Sequence, residues 1–344
     1  MGEDPVAAQL DERFATRRVA VTGGASFIGS HLVERLVGLD ADVVVLDDLS
    51  SGRLEHLAAC RDRIEVVVGD AGHAATVDAA FVGVDTVFHL AARHGGRGFI
   101  DSHPVACAAN AALDAHVFAA AARQGATSVV FTSSACAYPL DLIEGSGAAG
   151  GLREVDAGFD VRGGAFADGE YGWAKLYGEL QLAAHVKEGH FSGGAAARLF
   201  NAYGPRENES HAIVALIQRA LGHEDPFTVW GDGTQRRAFT HVDDIVTGLC
   251  LAATVDGFEV FNVGASSTVT IDELCGLIFD QVGWRPSAIH HDPTKPVGAL
   301  VRLADTSKLR SAFGWEPSVP LDVGLAATIA ARRAGSVDAA ASRP

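Results

Sequence analysis

Positive charge is scarce in this sequence. Its 344 residues include 27 Lys and Arg against 43 Asp and Glu, which gives a formal net charge of −16. Proteins that bind nucleic-acid backbones or anionic membranes present basic surfaces, so we expect no nucleic-acid partner and no membrane partner. Any phosphate group in a ligand must therefore be bound by a few local groups.

Cysteine is also scarce, and its spacing excludes two classes of protein. Five cysteines are widely separated and include no CxxC pair: Cys60, Cys107, Cys136, Cys250 and Cys275. This pattern fits neither a disulfide framework nor a zinc site, so we expect a reducing, cytoplasmic environment. His290, His291 and Asp292 are adjacent, but neighbouring histidines point apart on most backbones, and we predict no metal.

Long apolar runs are absent as well. No stretch approaches 18 uninterrupted apolar residues and the first residues are charged, so we predict neither a membrane span nor a signal peptide. We expect residues 1–17 to be a flexible lead-in and residues 331–344, which are small and polar, to be a disordered tail. Residues 139–169 are rich in glycine and irregular, and we interpret them as a mobile flap.

What the sequence does contain is a repeated alternation of strands and helices. Residues 18–39 predict a strand, a glycine turn and a helix, and similar units follow. Near-continuous apolar strands joined by helices indicate a doubly wound parallel α/β sheet. We assign residues 18–198 to a cofactor-binding domain, to which 235–262 return, and residues 199–234 and 263–330 to a smaller, mixed α/β substrate-binding lobe.

The stretch TGGASFIG follows the first strand and opens a helix. It places Gly23, Ser26 and Gly29 at the spacing of a phosphate-binding turn, where the backbone approaches a pyrophosphate at the helix N-terminus. Asp47 ends the next strand, where a carboxylate accepts hydrogen bonds from an adenosine ribose, and Asp70 ends the third. We therefore predict a dinucleotide cofactor, and the acid at position 47 favours NAD over NADP.

The stretch EYGWAK places Tyr171 and Lys175 four residues apart, on one face of a predicted helix. A tyrosine is a poor base near neutral pH, but a neighbouring ammonium and a cationic nicotinamide both favour the phenolate. Ser134 ends the preceding strand and can orient the same substrate hydroxyl. These three side chains are the predicted catalytic group for removing a proton from a sugar hydroxyl.

These motifs occur in the order found in a known enzyme group. TGGASFIG, LAA, TSS, YGWAK and RLFNAYGPR resemble the extended short-chain dehydrogenases/reductases that act as NAD-dependent nucleotide-sugar epimerases and dehydratases. The resemblance extends from about Arg18 to Val323 and implies a Rossmann fold, NAD and a nucleotide-diphosphate sugar substrate. One departure is Ser26, where the family's turn more often has glycine, which has greater backbone freedom.

The resemblance also implies a wider set of contacts. The cofactor would be bound by the turn, the strand ends and the catalytic helix: Gly23, Ser26, Phe27, Ile28, Gly29, Asp47, Asp70, Ala71, Leu90, Ala91, Ala92, Asn110, Tyr171 and Lys175. The substrate would be bound by a glycine-rich loop and by the smaller lobe: Gly95, Gly96, Arg97, Asn201, Arg237 and Arg302. A homodimer is implied, through helices near His116 and Leu180.

Cys136 lies two residues beyond the catalytic serine. The stretch SSACAYP resembles that of GDP-mannose 3,5-epimerases, which use a cysteine at this place as an acid/base. Oxidation at C4 of a hexose gives a ketone that acidifies the hydrogens on C3 and C5, and a thiolate can remove one of them. Without the resemblance, Cys136 would be interpreted as a small buried residue, because free cysteine is often buried.

Epimerisation needs a second acid/base on the opposite face of the sugar ring. Where that subfamily has a lysine, this sequence has a shorter segment that contains His211, and an imidazole titrates near neutral pH. Glu207 and Glu209 are neighbouring alternatives, and an exposed loop histidine is the other interpretation of His211.

Three functions are open at this point. The first is an epimerase that oxidises C4 and inverts C5, or both C3 and C5, and GDP-mannose as its substrate rests on the resemblance. The second is a 4-epimerase, in which Cys136 is a bystander. The third is a non-catalytic NAD-binding sensor, which would have no need of Tyr171 and Lys175.

Overall fold

The computed structural model describes residues 5–145, 150–158, 167–209, 211–295 and 301–341. Its strands are β1 (Arg18–Thr22), β2 (Asp42–Asp47), β3 (Ile64–Val68), β4 (Thr86–His89), β5 (Ser128–Ser134), β6 (Gly193–Leu199), β7 (Ala202–Tyr203), β8 (Phe227–Trp230), β9 (Arg236–Arg237), β10 (Thr240–His241), β11 (Gly257–Val263), β12 (Val269–Thr270), β13 (Ile289–Asp292) and β14 (Val301–Arg302).

The helices alternate with these strands through most of the chain. They are α1 (Pro5–Phe14), α2 (Phe27–Gly38), α3 (Ala74–Ala80), α4 (Arg97–Ser102), α5 (Pro104–Ala108), α6 (Asn110–Arg123), α7 (Leu140–Gly145), α8 (Gly169–Lys187), α9 (Ala212–Leu221), α10 (Val242–Ala252), α11 (Ile271–Val282), α12 (Ser307–Phe313) and α13 (Leu321–Ala341). Short 3₁₀ segments cover Leu54–Arg63, Ala135–Ala137 and Glu154–Asp156.

Seven strands form one parallel sheet in the order β11-β6-β5-β4-β1-β2-β3. The order reverses beside β1, so the carboxyl ends of β1 and β4 diverge into loops that leave a crevice. Residues of β1 and β2 are almost all buried, because helices cover both faces of the sheet. The predicted doubly wound α/β fold is confirmed.

The smaller lobe is made of short strands and two amphipathic helices. β9 pairs with β12 and β14, and β8 pairs with β13. The lobe has its own core, in which Ile213 and Ile217 of α9 pack with Leu274 and Ile278 of α11. The chain then rejoins the main sheet, because α10 packs against α2 and β11 pairs with β6 at the sheet edge.

The N-terminal segment is not the flexible lead-in that the sequence predicts. Residues 5–14 form α1, and Leu10 and Phe14, which lie one helical turn apart, are fully buried in the main core. Arg13 also donates hydrogen bonds to the Ala253 carbonyl at 2.9 Å and to Thr86 Oγ1 at 2.9 Å. The burial of these two apolar side chains and the hydrogen bonds of Arg13 to distant residues attach the segment to the domain.

The end of the chain also differs from its predicted disorder. The backbone is helical to Ala341, as part of α13, so the expected tail is helical over most of its length. Alanine is the best helix former, and residues 330–341 are rich in it, which accounts for the continuation of the helix. Residues 342–344 lie outside the described ranges.

The predicted flap is partly regular and partly outside the described residues. Its ends contain α7 and the short 3₁₀ segment, and Leu152 forms a parallel bridge with Ala304 of the smaller lobe. Residues 146–149 and 159–166 lie outside the described ranges, so the proposed mobility of this segment stays a prediction.

Among the residues that the structure describes, one apolar segment meets the length and composition of a membrane span. Pro104–Arg123 does so, with 39% of its most apolar window buried in the fold. This segment is divided at Ala109 into α5 and α6, and it contains the fully buried polar residues Asn110 and Asp114. A helix that packs on a sheet in the core of a soluble domain has the same composition.

We expect Phe14→Ala to lower the free energy of unfolding by about 3–5 kcal/mol, because it removes a fully buried ring whose centroid lies 5.9 Å from that of Phe88. Urea titration followed by circular dichroism measures the change. Glu12→Ala on the exposed side of the same helix is the control, with an expected change of less than about 0.5 kcal/mol. Equal stability of the two variants would mean that α1 does not pack on the domain.

Candidate active site

The glycine turn between β1 and α2 lies directly against the end of β4. Gly23 has a φ of +71°, and a Cβ added to it would lie 2.9 Å from the backbone nitrogen of Ala91. Only glycine therefore suits this position. Ser26 has an ordinary φ of −80°, and its hydroxyl donates to the Gly23 carbonyl at 2.5 Å. The serine thus closes the turn, and its smaller backbone freedom carries no cost here.

Asp47 is held in place at the end of β2. Its Oδ2 accepts a hydrogen bond from Ala25 N at 2.9 Å, and its Oδ1 accepts one from Leu49 N at 2.8 Å. Burial raises the pKa of this carboxyl, and the two N–H groups oppose the shift because they bind the ionised form. The carboxylate is thus oriented beside the turn, where a ribose of a dinucleotide would lie.

Asn110 fixes the loop that follows β4. Its side chain is fully buried, accepts from Arg93 N at 2.7 Å and donates to Arg93 O at 3.0 Å. The Arg93 guanidinium extends towards Asp70, with Nη2 3.6 Å from Oδ2. Asn110 therefore acts by shaping the loop that carries Ala91 and Ala92.

A cleft of about 1880 Å³ separates the sheet edge from the smaller lobe. Ordinary small-molecule sites measure about 300–1,000 Å³, so this cleft has room for a dinucleotide and a second ligand. Many predicted residues line it: Ser26, Phe27, Ile28, Leu90, Ala92, Gly96, Arg97, Ser134, Tyr171, Lys175, Asn201, His211, Arg237 and Arg302. The other predicted residues are not part of this lining: Gly23, Gly29, Asp47, Asp70, Ala71, Ala91, Gly95, Asn110 and Cys136.

Ser134, Tyr171 and Lys175 are brought together at the sheet edge. Ser134 Oγ accepts from Cys136 N at 3.1 Å, which leaves the hydroxyl proton to be donated. The Lys175 ammonium lies 5.9 Å from the Tyr171 ring centroid. Burial raises the pKa of Tyr171, so its phenolate depends on nearby positive charge. Lys175 supplies one such charge, and a nicotinamide cation would supply another.

Cys136 lies beneath the cleft surface in a group of charged residues. It is 6% exposed, and its Sγ lies 3.9 Å from Nη1 of Arg302. Asp168, which is almost fully buried, accepts two hydrogen bonds from Arg97 Nη1 at 2.7 and 2.9 Å, and its Oδ2 lies 3.5 Å from Arg302 Nη2. This carboxylate joins the glycine-rich loop to the smaller lobe beside the thiol.

His211 is paired with a buried acid. Its Nδ1 lies 2.9 Å from Oε1 of Glu207, whose side chain is only 1% exposed. Burial raises the pKa of Glu207, and the hydrogen bond from His211 opposes that rise. Arg332 of α13 donates to the Glu207 carbonyl and pairs with Glu209 at 3.3 Å, so the C-terminal helix holds this segment. His211 is thus a positioned imidazole, whereas Glu209 is largely exposed.

Asn201 and Arg237 lie on the lobe side of the cleft. Asn201 Nδ2 donates to the Ala238 carbonyl at 3.0 Å, which ties β6 to the strand that carries Arg237. Burial, and then the charge of Arg302, lower the pKa of Arg237 to about 10. Two guanidinium groups close enough to repel one another indicate a site for an anion such as a diphosphate.

Sequence reasoning missed two cleft residues. His94 lines the cleft, and its pKa is lowered to about 4 by the surrounding protein and then by the charges of His211 and Lys175. His94 directly precedes the glycine-rich loop, and this position in the sequence could have identified it as a cleft residue. Asp168 precedes Tyr171 by three residues. Its contact with Arg302, more than 100 residues away, could not be predicted from the neighbouring sequence.

The histidines near the end of the lobe belong to a different arrangement. His291 Nε2 lies 2.9 Å from Oδ1 of Asp272, on the surface of the lobe. Within the described ranges, no group of three His, Cys, Asp or Glu side chains has the geometry to hold a metal ion.

Comparison with known proteins places these features in a family. The family model "NAD dependent epimerase/dehydratase family" matches residues 19–264. The chain is 31% identical over 316 residues to GDP-mannose 3,5-epimerase 1 of Oryza sativa subsp. japonica, which covers 90% of this chain and 79% of that protein. It is 29% identical over 326 residues to dTDP-4-dehydro-6-deoxy-D-allose reductase of a Streptomyces species, with 92% and 96% covered.

A solved structure agrees with this placement. MoeE5 in complex with UDP-glucuronic acid and NAD superposes with a TM-score of 0.78 at 30% identity, over 92% of this chain and 99% of that one. The glycine turn, Asp47 and the Asn110-shaped loop fit the same cofactor, and the fold is the expected Rossmann fold. The chain belongs to the NAD-dependent epimerase/dehydratase family, whose members are enzymes of nucleotide-sugar chemistry.

Proposed function

We propose that this protein is a nucleotide-sugar epimerase that oxidises C4 of a bound hexose, inverts C5 or both C3 and C5, and then restores C4. The observation that carries the proposal is the presence of two groups suited to acid/base chemistry: a thiol beside a guanidinium just beneath the cleft surface, and an imidazole on the cleft wall that is paired with a buried acid. A 4-epimerase needs neither group. The likeness to rice GDP-mannose 3,5-epimerase supports GDP-mannose as the substrate.

The first step uses the catalytic group of α8. Tyr171 accepts the proton of the C4 hydroxyl while Ser134 donates a hydrogen bond to the same oxygen. Lys175 stabilises the phenolate through its charge and lies against the Phe131 ring, 4.6 Å from its centroid. NAD, which the glycine turn and Asp47 would hold, would supply the acceptor for the C4 hydride and the donor for its return.

The second step uses Cys136. Its thiolate removes a proton from the carbon next to the C4 ketone, and the electrons move into an enolate whose oxygen is at C4. Arg302 lies close enough to the sulfur to offset the negative charge of the thiolate. The same guanidinium is held by Asp168, so its position does not depend on the substrate.

Reprotonation on the opposite ring face is the proposed role of His211. Because the Glu207 carboxylate accepts from Nδ1–H, Nε2 is the ring nitrogen left to exchange a proton with the sugar. A buried carboxylate that orients an imidazole is a recurrent device in acid/base catalysis. This arrangement gives His211 the function that a lysine has in the resembled subfamily.

Substrate binding and assembly follow the same proposal. Asn201, Arg237 and Arg302 would bind the diphosphate, because they bring amide and guanidinium donors to one wall of the cleft. Trp173, Tyr177 and Leu180 form an exposed apolar stripe along α8, spaced one turn apart, which supports a homodimer through this helix. We also propose a cytoplasmic location, where the free thiols would stay reduced.

The rival proposal is a 4-epimerase, in which the keto sugar rotates and is reduced on its other face. It makes no use of Cys136, and it exchanges no carbon-bound hydrogen with water. A reductase, as in the Streptomyces relative, would consume reduced cofactor with each turnover. NMR of products formed in heavy water separates the three.

We expect wild-type protein with GDP-mannose in heavy water to place deuterium at C5 or at both C3 and C5. Cys136→Ala should reduce this exchange by about 10²–10⁴-fold, because the base is lost, while reduced nicotinamide still forms on mixing with substrate. Cys250→Ala in the core of α10 is the matched thiol control and should retain exchange. Exchange that survives in Cys136→Ala, or conversion without any exchange, would contradict the proposal.

The partner of Cys136 is tested by His211→Asn. This change should reduce inversion at C5, or at C3 and C5, by about 10²-fold or more without preventing C4 oxidation, because only the acid/base on the opposite ring face is removed and Cys136 can still exchange the proton on its own face. Glu207→Gln should have a smaller effect in the same direction, because it weakens the orientation of the ring. Glu209→Gln, at an exposed carboxylate, is the control, and a larger loss there than in His211→Asn would assign the role to Glu209.

A further inference from the structure

A polar chain of three buried residues lies behind the catalytic helix. Thr22 Oγ1 is 2.8 Å from His89 Nδ1, and His89 Nε2 is 3.0 Å from Asp114 Oδ1. All three side chains are fully buried. They lie at the end of β1, at the end of β4 and in the middle of α6, and no step of the proposed reaction uses them.

The hydrogen bonds fix the positions of the protons in this chain. Thr22 Oγ1 already accepts from Leu90 N at 3.2 Å and from Ala91 N at 3.1 Å, so its single proton is donated to His89 Nδ1. His89 therefore carries its proton on Nε2 and donates it to Asp114. Asp114 Oδ1 accepts this hydrogen bond, and Asp114 Oδ2 has no hydrogen-bond partner within the described residues.

The second oxygen of Asp114 faces the catalytic helix. A Cβ added to Gly178 would lie 2.7 Å from Asp114 Oδ2 and 2.6 Å from the Phe131 ring. The Lys175 ammonium lies over the same ring, 4.6 Å from its centroid. Lys175 and Gly178 are one turn apart on α8, so the Asp114 carboxyl group and the Lys175 ammonium both lie beside the Phe131 ring.

Asp114 is the acid near Lys175 whose charge is least neutralised. Burial lowers the pKa of Lys175, and the charges of Asp114 and Glu179 raise it. Glu179 Oε1 is committed to Ser133 at 2.5 Å and to the Arg198 guanidinium at 2.9 Å. Asp114 has only the neutral His89 as a partner, and its Oδ2 has no hydrogen-bond partner within the described residues.

We propose that Asp114, oriented by His89, is the buried counter-charge that keeps Lys175 protonated and sets the pH range in which Tyr171 and Lys175 act. The inference rests on the proposed roles of Tyr171 and Lys175 in sugar oxidation. Asp114 does not reach the cleft lining, so it is a positioning residue that acts through Lys175.

The direction of the effect follows from the sign of the charge. A nearby anion disfavours the phenolate and favours the ammonium, so removing the Asp114 charge lowers the pKa of Tyr171 and also the pKa of Lys175. Activity that needs the phenolate then begins at lower pH, and activity that needs the ammonium is lost at lower pH. The whole pH profile of C4 oxidation moves to lower pH in Asp114→Asn.

Other titratable groups near Tyr171 and Lys175 are unchanged in this variant, so their electrostatic effects on the pair remain. They come from α5, the segment after β5, α8, the loop after β4 and the start of α9: Cys107, Cys136, Glu179, His94 and His211. A displacement of the profile is therefore the effect of Asp114 alone.

The test compares NAD-loaded wild type with Asp114→Asn in two measurements. The first is the absorbance of tyrosinate as a function of pH, with the Tyr171→Phe trace subtracted, which needs no sugar. We expect its midpoint to fall by about 1 pH unit or more. The second is the pH profile of reduced-nicotinamide formation with GDP-mannose, which should move in the same direction by a similar amount.

The control is Asp272→Asn, which removes a carboxylate paired to a histidine at 2.9 Å in the lobe, outside the cleft lining. It should leave both curves in place. A uniform loss of amplitude without displacement would show that Asp114 is merely structural and would overturn the inference. Inactivity with every sugar would overturn the proposed function, while the tyrosinate midpoint would still decide the role of Asp114.

If Asp114→Asn does not fold, a second variant and a measurement on the wild-type protein still test the inference. Asp114→Thr keeps an acceptor for His89 and should give the same displacement. In wild-type protein, ¹⁵N spectra of the histidines must contain one neutral ring with its proton on Nε2. If no ring with this tautomer is found, His89 and Asp114 are not arranged as inferred.

Discussion

The close contact between α8 and the chain that leaves β5 is the constraint on which the active site depends. A Cβ on Gly172 would overlap the Cys136 carbonyl, and a Cβ on Gly178 would press on the Phe131 ring. Two positions without side chains on the buried face let the helix approach this closely. Tyr171 and Lys175 reach the sheet edge because of it, and Cys136 is fixed in relation to them.

A buried ion pair links α8 to residues 154–157. Arg198 is 2% exposed and pairs with Glu179 at 2.7 Å, and the same guanidinium donates to the carbonyls of Glu154 and Ala157 at 2.9 and 3.1 Å. Removing one partner of such a pair typically costs about 3–5 kcal/mol, because the other charge is left buried. Glu179 follows Lys175 by one turn on α8, so residues 154–157 and the Lys175 side chain are positioned by the same helix.

Local patterns predicted the features that depend on neighbouring residues, and long-range contacts decided the rest. The doubly wound sheet followed from repeated strand and helix patterns, and the glycine turn with Asp47 predicted the cofactor, since these signals lie within about 30 residues of one another. The order of α1 was missed because only Leu10 and Phe14 are buried, too few for a recognisable amphipathic pattern. Asp114 was not singled out by any motif, because only the fold brings it to His89.

Because Arg332 donates a hydrogen bond to the Glu207 carbonyl, α13 is linked directly to the proposed acid/base pair of Glu207 and His211. A rotation or truncation of α13 would displace the backbone of Glu207 and His211, although neither side chain would be changed. A fusion partner or an affinity tag attached directly after this helix would therefore affect the position of Glu207 and His211. Attachment at the N-terminus would instead act on α1, which packs in the main core through Leu10 and Phe14.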